Sequence, residues 1–196
     1  GFHGTSHRFV AIHTARQLRR PLEEVKIVTC HLGNGCSMAA VDRGHSVDTS
    51  MGFTPLEGLL MGTRCGDIDP AAVLHLMEHR QLGIGAMNDL LNKQSGMLGL
   101  AETGSNDLRD ILAARDAGNP QAAVALQAFC YRIKKYIGSY AAAMGGLDVL
   151  VFTAGIGENS PDVRWMACEG LGAAAGFGII LDPATNAAAG DRPREI

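Results

Sequence analysis

Residues 25–49, VKIVTCHLGNGCSMAAVDRGHSVDT, decide how the chain folds. Val25 to His31 is an apolar run rich in β-branched residues. Leu32 to Gly35 turns it, Cys36 to Val41 reads as the returning strand, and a third short strand begins at Gly44. The pattern predicts a β-hairpin whose turn faces a ligand. Gly33 and Gly35 flank Asn34 and are free to take positive φ, so backbone N–H groups can point inward onto phosphate oxygens. Asn-Gly is equally a common hairpin turn with no ligand, and both readings stand on spacing alone. His31 closes the first strand just before the turn, where side chains reach a cleft.

Outside this stretch, composition narrows the classes. A chain of 196 residues can fold as one domain with a substantial core. Its formal charge of −3 and its lack of a long basic run argue against a nucleic-acid or anionic-membrane partner. Cys30, Cys36, Cys65, Cys130 and Cys168 are scattered, odd in number and without a CxxC, the pattern of reduced thiols in a cytoplasmic protein. No signal peptide is expected, and these residues contain no apolar run long enough to cross a bilayer. The sequence opens at Gly1 inside a dense motif, without methionine, and is therefore expected to be a piece of something longer.

Upstream, GFHGTSH (1–7) leads into a helix expected to run to about Leu18, capped by Thr5 or Ser6, with Phe9, Ile12 and His13 on its buried side. His3 and His7 lack an acidic or cysteine partner, so zinc is not favoured. His3 either hydrogen-bonds a phosphoryl oxygen beside the helix entrance or ties down its loop. Downstream, Thr54-Pro55 with Glu57 predicts a short capped helix. Met61 to Asp69 is irregular and carries Arg64, whose planar fork suits a transferring phosphoryl group, or which pairs with Asp67 or Asp69 to pin the loop.

Helices are expected from Asp69-Pro70 to His79 and over 86–94, with a glycine-punctuated loop over 95–100. Ser105 or Asn106 caps the next helix, which places Arg109 unfavourably in its first turn and suggests stacking on an adenine ring. The longest helix runs from Gln121 to about Met144. Val149 to Thr153 reads as a strand buried on both faces, followed by a tight glycine turn over 154–157 and a helix capped at Asn159-Ser160-Pro161. This arrangement offers a nucleotide close backbone approach, or is a plain connection. Phe177 to Leu181 suggests a short strand, and the tail from Asp182 a loop.

Together these elements describe an α/β domain with an antiparallel hairpin on one side of a partly parallel sheet. It resembles the ribonuclease H-like half-domain of the sugar kinase, heat-shock 70 and actin superfamily, a mixed sheet with flanking helices. The runs GFHGTSH, HLGNG, VDTSMGFTPLEGLLMGTRCGDIDP, SNDLRD and AGIGENSP, in this order, are similar to the acetate kinase family across essentially the whole chain.

The resemblance implies ATP-dependent phosphorylation of acetate and the reverse synthesis of ATP from acetyl phosphate. In it, His3 and Arg64 stabilise the phosphoryl group in flight. His31, Asn34 and Gly35 contact phosphates; Asp107 and Arg109 lie by the adenosine; Gly155, Ile156 and Asn159 hold the other side of ATP or ADP. Phe2 and Pro55 line the acyl pocket. Residues 1–196 would then be the C-terminal nucleotide-binding and catalytic domain, truncated at both ends, of a homodimer. Its Mg2+ ligands would lie in segments outside the chain, Glu195 standing too early to be one, and the chain alone would have little kinase activity. A propionate kinase, and a non-catalytic nucleotide-binding or oligomerisation module, are the other readings.

Overall fold

The hairpin forms where the apolar runs place it. In a computed structural model, which describes residues 1–188, β1 (Lys26–Leu32) pairs antiparallel with β2 (Cys36–Asp42), from Lys26 opposite Asp42 to Leu32 opposite Cys36. β3 (His45–Thr49) adds antiparallel to β2 with an irregularity at Ala40/Val41. β4 (Val149–Thr153) adds parallel to β1, so that His31 lies opposite Thr153. The sheet order is β3-β2-β1-β4, the mixed sheet with flanking helices expected from the sequence.

Strand alternation decides what each face meets. Val28, Cys30 and Leu32 of β1, with Cys36, Met38 and Ala40 of β2, join the main core. There they share a cluster with Phe129, Ile133 and Ile137 of α6 (Pro120–Met144), the longest helix. Asn119 caps α6 by accepting from the N–H groups of Gln121 and Ala122, and Pro120 occupies its first turn. The opposite face carries Ile27 and Val41, packed with Ala11 of α1 (Gly4–Gln17). Thr29, His31 and Ser37 continue that same face toward the carboxyl end of β1. The face thus changes from apolar to polar along one strand, and the polar end is where chemistry can be placed.

The remaining helices are α2 (Pro70–Arg80), α3 (Ile84–Lys93), α4 (Gly96–Ala101), α5 (Leu108–Asp116), α7 (Ala154–Asn159), α8 (Pro161–Cys168) and α9 (Pro183–Ala187). No helix among the described residues is long and apolar enough to cross a membrane.

Several local expectations are overturned. Gly33 and Gly35 do not take positive φ. Gly35 instead lets Arg64 come close: a Cβ there would stand 3.3 Å from an Arg64 terminal nitrogen, which would have to give by a few tenths of an ångström. α1 begins after His3, itself left-handed at φ 56, with no side-chain cap from Thr5 or Ser6. Its buried residues are His7, Ala11 and Ala15, while Phe9 and His13 stack on each other outside. No helix forms at Thr54-Pro55, where Thr54 closes a turn on the N–H of Leu56.

The expected loop at 95–100 is α4, and the expected glycine turn after β4 is α7. α5 is capped by Asp107 rather than Ser105 or Asn106. β4 is an edge strand and only half-buried throughout. Phe177 to Leu181 is irregular, and α9 stands where a loop was expected. Glu195 lies outside the described residues.

Candidate active site

The polar end of the sheet gathers three histidines. The rings of His3 and His31 stack at 4.1 Å between centroids, and His7 lies 6.4 and 6.1 Å from them. Ser37 Oγ is 2.8 Å from His3 Nδ1 and 2.7 Å from His7 Nε2, and Thr29 Oγ1 is 2.7 Å from His7 Nδ1. Ser6 Oγ lies 2.9 Å from His31 Nδ1. Proton counting orders this chain. Thr29 donates to the Ala39 carbonyl at 3.4 Å and so accepts from His7 Nδ1–H. His7 Nε2 then accepts from Ser37, and Ser37 accepts from His3 Nδ1–H. The remaining nitrogen of neutral His3 bears a lone pair, and it becomes a donor to an anion once the ring takes up a proton.

Burial holds all three imidazoles toward the neutral form. His7, the most deeply placed, is pushed down to about 4 by desolvation, with His31, His3 and the chain's amino terminus adding. His3 is lowered by desolvation and then by Arg64; for His31, desolvation and His3 outweigh an opposing pull from Glu158. A histidine with a depressed folded pKa binds fewer protons folded than unfolded, so stability falls as pH drops from about 6.5 toward 4. His7 contributes up to about 3 kcal/mol across that window. Thermal unfolding between pH 7 and 4.5 is expected to show this slope in the wild type and to lose its steepest part in His7→Gln.

Arg64 approaches from the irregular segment between β3 and α2. One terminal nitrogen donates to the Pro55 carbonyl at 3.2 Å and contacts Met61 Sδ at 3.6 Å. Asp67 and Asp69 are engaged elsewhere, Asp69 as the cap of α2. Pairing with them therefore does not account for Arg64, which has no ion pair among the described residues. The ideal Cβ position of Gly35 lies 3.3 Å from Arg64 and 3.9 Å from His3 Cε1, which places arginine, histidine and hairpin turn around one point.

Asn34 accepts from Asn106 Nδ2 at 2.7 Å, and its carbonyl accepts from Gly62 N–H at 3.2 Å. The turn is thereby tied to the Arg64 segment and to the approach of α5. There Asp107 caps α5 and is forked by Arg109, which holds its carboxyl down to about 2. Arg109 is thus partnered and exposed.

On the other side, Gly33 faces Ala154, the first residue of α7, their Cβ positions 4.0 Å apart; in α7, Gly155 and Asn159 are exposed and Ile156 packs against the main core. Glu158 accepts from Thr153 Oγ1 and Ala154 N–H, both at 2.9 Å, and Asn159 donates to the Gly155 carbonyl. Phe2 lines a groove of about 430 Å³ between α1 and β2–β3 with His7, Ala39 and Thr49, whereas Pro55 stands with Arg64. Ser37, Thr29, Asn106 and Glu158 were not singled out as site residues from sequence; only the strand register, which sets Ser37 opposite His31, brings out the first.

Known proteins resemble the chain in both sequence and shape. A sequence model described as the acetokinase family matches residues 1–196. The acetate kinase of Nitratidesulfovibrio vulgaris (strain Hildenborough) is 57% identical over 196 residues, 100% of this chain and 48% of that protein. The crystal structure of Porphyromonas gingivalis acetate kinase superposes with a TM-score of 0.94 at 45% identity, covering 98% of this chain and 47% of that one. A propionate kinase from Francisella tularensis gives 0.88 at 40% identity, covering 95% and 47%. The chain spans about half the length of the relatives it matches.

Proposed function

The chain belongs to the acetokinase family, and from that premise we propose that residues 1–196 form the nucleotide-binding and catalytic domain of a cytoplasmic, homodimeric acetate kinase. The reaction is direct, in-line transfer of the γ-phosphoryl group of ATP to the acetate carboxylate, and its reverse. The observation that carries this reading is the convergence of Arg64, His3 and the Gly35 turn on one point. In-line phosphoryl transfer needs positioning and neutralisation of equatorial charge more than a nucleophile.

Each residue has a part its surroundings suit. Arg64, with no ion pair among the described residues, spreads its charge over the equatorial oxygens. His3, fixed by Ser37, donates to a phosphoryl oxygen as the imidazolium that an anion favours. His31, Asn34 and Gly35 border the polyphosphate. Asp107 and Arg109 flank the adenosine on one side, and Gly155, Ile156 and Asn159 on the other. Phe2 and Pro55 bound the acyl methyl.

Glycine turns and cationic side chains fit a polyphosphate. Among the described residues no group of three or more His, Cys, Asp or Glu is placed to hold a metal ion. Magnesium in such sites is held mainly by substrate phosphates and water with one or two carboxylates; those carboxylates are assigned to segments outside the chain, and the chemistry assigned to this chain is that of its own cations and dipoles.

Propionate is the second reading, supported by the Francisella propionate kinase likeness, but the acetate kinase structure is nearer in both identity and shape. Assay of the complete gene product with ATP and each acid is expected to give a kcat/KM for acetate at least about tenfold above that for propionate, one methylene in an apolar pocket being worth that much. Preference for propionate would transfer the assignment. Failure to make acyl phosphate from either acid would overturn it.

A further inference from the structure

The segment that carries Arg64 has neither helix nor strand, yet an arginine can neutralise a transferring group only if its backbone is held still. Backbone bonds tie its middle, from Gly62 N–H to the Asn34 carbonyl and from Cys65 N–H to the Leu91 carbonyl, and one carboxylate closes its neck. Asp67 Oδ1 accepts from Gly58 N–H at 2.8 Å, and Asp67 N–H donates to the Gly58 carbonyl at 3.0 Å, closing residues 58–67 into a loop with Arg64 inside it. Asp67 Oδ2 accepts from Arg132 at 2.7 Å and from the Tyr136 hydroxyl at 2.8 Å. Arg132 and Tyr136 are four apart on α6 and share a face. The side chains are only about a third exposed, 37% for Asp67 and 28% for Arg132. Both carboxylate oxygens are thus spent on geometry, one on the neck of the loop and one on the helix that forms the floor of the core.

We infer that Asp67 is the positioning residue for Arg64, clamping the neck of its loop and bolting it to α6 through Arg132 and Tyr136. The inference rests on the function proposed above for what Arg64 does, and on geometry alone for the clamp. A clamp that merely stabilised the fold would lower activity to the same degree whether or not Arg64 were present. One that acts through Arg64 would have nothing left to lose once the guanidinium is gone.

The test is a double-mutant cycle in the complete gene product. Asp67→Asn is expected to lower kcat about 30-fold with KM for ATP and acetate within about threefold, and to lower it less than about twofold in the Arg64→Ala background. Amide exchange across residues 58–67 is expected to quicken at least about tenfold in Asp67→Asn. Tyr136→Phe, which removes one bond and leaves the charge, is expected to cost about threefold in kcat and serves in the same cycle should Asp67→Asn not fold. Losses that multiply undiminished across both backgrounds, or a kcat within twofold of wild type, overturn the inference. If the wild type phosphorylates neither acid, the functional reading fails by itself; exchange still decides the clamp, an unchanged rate overturning it and a quickened one upholding it.

Discussion

Replacing Arg64 with alanine is expected to lower kcat for acetyl phosphate formation about 10³-fold, the worth of a preorganised cation on a transferring phosphoryl group. The KM for ATP should move much less, because in the proposed reading the hairpin turn and the α7 segment hold the nucleotide without it. Arg64→Lys should recover little: an ammonium is a point charge without the fork that meets two oxygens together. Arg64 is half-buried and bonded to one carbonyl, so its removal costs little stability. Steady-state kinetics beside a thermal unfolding curve separates the two effects. A folded Arg64→Ala protein within tenfold of wild-type kcat would remove the arginine from the mechanism.

A large loss of stability is expected from Gly96→Ala. Gly96 sits at φ +64, and a Cβ there would lie 2.3 Å from the Met61 carbonyl oxygen and 2.8 and 2.9 Å from the Arg64 carbonyl oxygen and nitrogen. These are backbone atoms and cannot swing aside as a side-chain end would. Left-handed strain and overpacking together should cost about 3 kcal/mol or more. What relaxation occurs must displace Arg64 itself, so activity should fall with stability. Gly85→Ala is the control of opposite sign. Nothing lies within 4 Å of a Cβ there and the residue is inside α3, so the change should stabilise by about 1 kcal/mol. Denaturant unfolding of the three proteins side by side checks both.

The sheet was legible in the sequence because its signals are local. β-branched runs marked β1 and β4. What failed was the reading of glycine and of helix faces. Glycines 96, 155 and 157 were read as breakers, yet short helices run through them because surrounding packing outweighs a propensity cost of about 1 kcal/mol each. On α1 the largest apolar residues were assigned to the interior. The buried stripe is instead His7, Ala11 and Ala15, small or hydrogen-bonded residues that fit a closely approaching sheet face.

In the site, residues flagged by unusual chemistry, among them His3, His31, Asn34 and Arg64, do come together. The residues that orient them were opaque. Ser37 and Thr29 are ordinary strand residues until register sets them opposite a histidine or along its face, and Asn106 passes for a helix cap until Asn34 is found 72 positions away. Asp67 was weighed only as a partner for Arg64, and its true partners lie 65 and 69 residues further on, beyond the reach of any spacing rule.

The five unpaired thiols have a practical consequence. Cys30, Cys36, Cys130 and Cys168 are buried, and desolvation carries their ionisation far above neutral pH, to about 12 for the last three. Since the thiolate is the nucleophile, these four stay silent to an alkylating reagent until the core itself opens. Cys65, next to Arg64 and only half-covered, answers sooner. The wild-type chain therefore carries its own two-speed chemical clock, one hand timing the Arg64 loop and the other the whole domain, with no label to engineer.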